Sequence, residues 1–103
     1  MIFRKPFADV IRRQLDLFAD EHADLIADVD EAERAYDRSE RDEAEERFGD
    51  YSDLVETATE VLADVRDHFA SRLDDETGER YCDAFNRAVL KRWPPFALEI
   101  ENR

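Results

Sequence analysis

The sequence predicts an all-α protein: a long antiparallel helical hairpin and a shorter third helix, completed into a helical bundle by dimerisation. Three observations carry this. Phe48, Tyr51, Val55, Ala58, Leu62, Val65 and Phe69 recur in alternating steps of three and four, the seam of a helix packed on another helix. Phe7, Ile11, Gln14, Phe18, His22, Leu25, Val29, Ala32 and Tyr36 hold one face of an earlier segment for about eight turns. Only two Gly and three Pro interrupt a chain that is 42% charged and 43% hydrophobic. That composition is too apolar for a disordered acidic tail and favours long helices.

The chain of 103 residues reads as one domain, 1–103, without repeat or linker. Residues 1–5 are a lead-in, and Pro6 suits the first turn of a helix, where its missing N–H costs nothing. Helix 1 is expected over about 6–37. Two successive steps of four, Gln14 to Phe18 and Phe18 to His22, depart from a strict heptad around His22 and should relax any left-handed supercoil there. Residues 37–47 carry no large apolar side chain. The chain is expected to reverse near Arg38–Ser39, with Ser39 as N-cap and Asp42 at the third helical position. A turn at Gly49 is the other option, but it leaves arms of unequal length.

With the turn near 38–39, helix 2 spans about 40–73. Val29 then faces Phe48, Leu25 faces Tyr51, and His22 faces Val55. Farther down, Phe18 faces Ala58, Leu15 faces Leu62, Ile11 faces Val65 or Arg66, and Phe7 faces Phe69 or Ala70. Gly49 falls inside helix 2 at a cost of about 1 kcal/mol relative to Ala, which a close helix–helix approach would explain. Asp74, Asp75, Glu76 and Thr77 supply capping groups for a third helix over about 76–92. Pro94 and Pro95 stop it. The tail 93–103, with Phe96, Leu98 and Ile100 in alternation, is either extended and docked or a last helical turn.

An arm of about 32 residues is about 48 Å long, and a third helix of about 17 residues covers about 26 Å of it. Leu25, Val29, Tyr36, Phe48 and Tyr51 are left near the bend, which marks them as an interface. The economical completion is a homodimer forming a four-helix bundle. The alternative is a tail that folds back over the bend.

Net charge is −13, with a pI near 4.4. An acidic surface repels nucleic acid and anionic lipid. Charge is also segregated. Residues 14–46 hold 14 acids and three bases, whereas residues 1–13 hold four bases and one acid, and residues 80–103 five bases and three acids. The acidic half is either a solvated face with helical ion pairs or a surface for a basic protein partner or a basic patch on another copy. No run of about 18 apolar residues occurs. The N-terminal segment is broken by Arg, Asp and Gln, unlike a signal peptide. The lone Cys82 allows no internal disulfide, so a cytoplasmic location is expected.

Candidate chemistry is sparse. His22 on the packed face points first to a hydrogen-bonded core histidine and second to a metal or small-ligand site inside a bundle. Di-iron bundles use Glu-x-x-His, but Ala19 and Val65 stand three before His22 and His68. A buried His22 at a dimer interface would loosen assembly near pH 5. Glu60, Asp64, Asp67 and His68 form a row opposite Arg12 and Arg13, expected to be salt bridges. Cys82, Tyr81, Phe85 and Trp93 are expected in the core. No phosphate loop, zinc spacing or nucleophile elbow is present, and no cofactor is expected. In length and hairpin shape the chain resembles the small secreted helical hairpins with a Trp-x-Gly turn. Phe48-Gly49 is the nearest match to that turn and lacks the Trp, and Tyr36-x-x-x-Glu40 fits their export signal but lies mid-chain. The chain is not assigned to that family. The expected function is a non-catalytic interaction or scaffold module acting as a homo-oligomer; the alternatives are a metal- or small-ligand-binding helical bundle, which could be an enzyme, and an acidic protein that docks on a basic partner surface.

Overall fold

The computed structural model describes residues 7–103. The expectations for residues 1–6 lie outside this range. Every regular element among the described residues is helical: α1 (Ala8–Glu21), α2 (Ala23–Asp37), α3 (Ala44–Ala70), α4 (Asp75–Arg92), a 3-10 turn (Pro94–Phe96) and α5 (Ala97–Glu101). The molecule is elongated, 54 × 25 × 23 Å.

The first arm is two helices rather than one. His22 leaves helical geometry (φ −121, ψ 32), although its N–H still reaches the Phe18 carbonyl and its own carbonyl still accepts from Ile26. The interruption falls at the residue that ends the two steps of four. What the spacing does not convey is its use. Below His22, α1 packs on α4, whereas above it α2 packs on α3. The expected stacking of Phe7 on Phe69 is replaced accordingly. Tyr81 of α4 contacts both rings, Phe7 at 5.4 Å and Phe69 at 4.6 Å between centroids. Phe18 likewise meets Trp93 at 5.3 Å.

The bend also differs from expectation. The Ser39 hydroxyl donates back to the Tyr36 carbonyl instead of capping α3. A second turn, closed by the Glu43 N–H on the Glu40 carbonyl, follows before α3 begins without a side-chain cap. The reversal therefore sits nearer Arg41–Asp42, and the register shifts with it. Phe48 lies on Tyr36, and Tyr51 on Glu33, so Phe48 is a full two turns from its expected partner Val29. Gly49 lies within α3, but a Cβ built there would meet nothing within 4 Å. The close approach expected there does not occur.

The third helix follows its sequence signals closely. The Asp74 carboxylate accepts from the Thr77 N–H at 2.9 Å and from the Thr77 hydroxyl at 3.0 Å. These bonds hold the Asp74 carboxyl below the usual carboxylate range. After Pro94 the tail takes the helical alternative. It folds onto α3 and α4, burying Phe96 and Ile100.

One core runs the length of the lower half: Ile11, Leu15, Phe18, Leu62, Tyr81, Phe85, Val89, Phe96 and Ile100. Arg66 is also buried there, at 4% exposed. Its Nη1 donates to the Ile100 carbonyl and to Asn86 Oδ1, and its Nε to Asp67 Oδ1. No buried side-chain polar atom among the described residues lacks a partner. The tail reaches as far up α3 as Glu56, where Arg103 approaches it at 3.8 Å. The bend beyond is covered by neither α4 nor the tail.

Candidate functional site

Two surfaces stand out, one at each end of the long axis. The first is the bend. Tyr36 and Phe48 meet edge to face at 5.4 Å, and Phe48 touches Tyr51 at 6.4 Å. Phe48 is 50% exposed and Tyr36 37%. Tyr51 and Leu25 are half-buried against the core, and Val29 is only 3% exposed. The structure thus brings Tyr36, Phe48 and Tyr51 together at the tip. Leu25 and Val29 sit lower, and Val29 has almost no free surface. The Tyr51 hydroxyl donates to Glu33 at 3.3 Å, and burial together with that carboxylate pushes the phenol up.

Acids crowd this end. Arg34 and Arg38 both reach Glu31, at 3.1 and 3.5 Å, and Arg47 bridges Glu43 and Asp50. The Arg34 hydrogen bond, reinforced by the Arg34 and Arg38 charges, holds the Glu31 carboxyl low. These pairs are exposed and neutralise few of the acids.

The second surface is a groove of about 630 Å³ between α1 and α4. Its floor is Ile11, Leu15, Ala84 and Ala88. Ala84 and Ala88 make the hollow, since they lie between Tyr81, which meets Phe7, and Trp93, which meets Phe18. Around it stand Arg12, Arg80, Arg87, Lys91 and Arg92, with Asp83 the lone acid among the lining residues. Arg12 pairs with Asp9 at 3.4 Å, and Arg92 with Asp16 at 2.6 Å. Arg92 also lies over the Trp93 ring, 4.8 Å from its centroid. Arg87 and Lys91 have no ion-pair partner among the described residues.

Sequence reasoning missed this groove. Its signal was present in Arg80, Ala84, Arg87, Ala88 and Lys91, which share one face of a helix. The acids Asp83, Glu99 and Glu101 dilute that signal in the net charge of residues 80–103. The expected salt bridges from Arg12 and Arg13 to the Glu60–His68 row are also replaced, because α1 rests on α4. Arg12 pairs with Asp9, Asp67 with Arg66, and His68 lies 3.3 Å from Arg72. His22 is half-buried against Phe18, with ring centroids 5.2 Å apart. No group of three or more His, Cys, Asp or Glu among the described residues is arranged to hold a metal ion. Cys82 is half-buried on α4, and burial pushes its thiol up, away from the range of an activated nucleophile. No helix among the described residues is long and apolar enough to cross a membrane.

Comparison with protein-family models, with curated proteins and with solved structures gives no match for this chain.

Proposed function

We propose that the protein is a non-catalytic helical interaction module that works as a homo-oligomer, with the aromatic tip of the hairpin as its contact surface. The observation that carries this reading is the Tyr36–Phe48 pair, half out in solvent where the third helix and the tail stop short. Two helices alone leave part of each apolar face open, and large exposed aromatics are what partner surfaces bury first. The half-buried single cysteine fits a reducing cytoplasm.

Sedimentation over a range of concentrations tests the proposal. The expected result is a mass above the 12.1 kDa chain at micromolar protein, reduced to the single-chain mass by Phe48→Asp with helicity unchanged. A wild-type chain that stays at 12.1 kDa at about 100 µM, near the weak end of specific association, overturns it.

A second reading is favoured by the acid excess of residues 14–46. In it the tip docks on a basic surface of a different protein. That complex would weaken with salt while the isolated chain remained single.

A further inference from the structure

We infer that self-association is head to tail: the acidic aromatic tip of one copy seats in the cationic α1/α4 groove of the next. This rests on reading the tip as a self-association surface, and it names the tip's partner. The two surfaces are complementary in both respects that matter. The tip offers an exposed aromatic ring, Phe48, among carboxylates, and the groove offers an apolar floor at Ala84 and Ala88 beside the exposed cations Arg87 and Lys91.

They cannot meet within one copy. Phe48 and Phe69 lie on the same helix, α3, about 32 Å apart by helical rise, and Phe69 packs against Tyr81 of α4. Tip-to-tip pairing is opposed by charge, since residues 14–46 carry 14 acids against three bases in each copy. Seating the tip in the groove replaces that repulsion with attraction and covers the phenyl ring with apolar surface. Such a contact is heterologous, so a docked pair still presents one free tip and one free groove, and assembly continues into rings or filaments.

Two variants in separate tubes test this. Arg87→Glu with Lys91→Glu destroys the groove and keeps the tip. Phe48→Asp destroys the tip and keeps the groove. All three positions are exposed, and circular dichroism checks that each variant is folded. Each alone should sediment as a 12.1 kDa chain, and the equimolar mixture should form a one-to-one pair that cannot extend further. Raising salt from about 0.05 to about 0.5 M should weaken that pair about tenfold or more. A groove variant that still assembles like wild type overturns the head-to-tail arrangement and leaves tip-mediated assembly standing. So does a mixture that yields no pair while wild type assembles, or a pair that tightens with salt. A wild-type chain that never assembles overturns both.

Discussion

The Arg66 guanidinium donates through Nη1 to the main-chain carbonyl of Ile100 at 2.9 Å, 34 residues along the chain. It fastens the last helix to α3, and a further bond from the same nitrogen to Asn86 Oδ1 at 3.0 Å ties in α4. A buried charge is tolerated here because three acceptors surround it.

Replacing Arg66 with Met keeps the apolar stem and removes the donors. The Ile100 carbonyl is then left without its side-chain donor inside the core. The expected cost is about 1–3 kcal/mol. It should appear as a lower urea midpoint with an unchanged slope, and hydrogen exchange should quicken in α5 before the rest. An unchanged midpoint would show that the tail is held by Phe96 and Ile100 packing alone.

Gly49 stands within α3 with open space where a Cβ would be. Gly49→Ala should therefore stabilise the protein by about 0.5–1 kcal/mol, by removing conformational freedom from the unfolded chain. Thermal denaturation reads this directly. A loss of stability would mean that a neighbour occupies that space in the assembled protein.

Tyr81 is fully buried and donates to Gln14 Oε1 at 2.7 Å. Burial raises its phenol from the usual 10 to about 12. A raised folded value means that the unfolded chain ionises first. Stability is thus intact below pH 10 and declines as pH rises from 10 towards 12. Tyr81→Phe should flatten this alkaline decline while costing about 1 kcal/mol at neutral pH for the lost hydrogen bond. Urea titrations at neutral and at strongly alkaline pH on both proteins give the comparison.

Asp74 caps α4, and its carboxyl is held low by the Thr77 N–H and hydroxyl. A lowered folded value places its contribution above the ordinary carboxylate value of 3.8 and removes it as pH falls through the folded value. Asp74→Ala should lower the thermal midpoint at pH 7. The two proteins should converge in strong acid. A gap that persists there would assign the effect to the packing of α4 rather than to the cap.

The parts of this fold that local chemistry decides were legible in the sequence. The α4 helix runs Asp75–Arg92 where capping acids and a Pro pair set both ends. The hairpin follows from its three-and-four spacing, and the interruption at His22 falls at the end of the slip from Gln14 through Phe18. The register was not legible, because residues 37–47 offer no apolar group to fix the bend, and its two tight turns depend on main-chain bonds. Nor was the splitting of the arms. Pairing residues between two arms assumes that the arms stay adjacent, whereas Tyr81, Phe85 and Phe96 fill the space below His22. The sequence offers Arg66 only as a residue facing Ile11, and its acceptors come from α3, α4 and the returning tail. Of the interface candidates, Tyr36 and Phe48 are exposed because aromatic side chains near a bend have little to cover them. Val29 was misplaced by the register alone.

The chain's single tryptophan has a practical consequence. Trp93 touches Phe18 on the first helix and Phe96 in the last turn, with Arg92 lying across its ring. Its fluorescence emission is thus a built-in reporter of whether the N-terminal helix and the C-terminal tail are both in place. The same signal is blind to the far end, so a two-step melting curve seen by helicity but not by fluorescence would mean that the bend opens first.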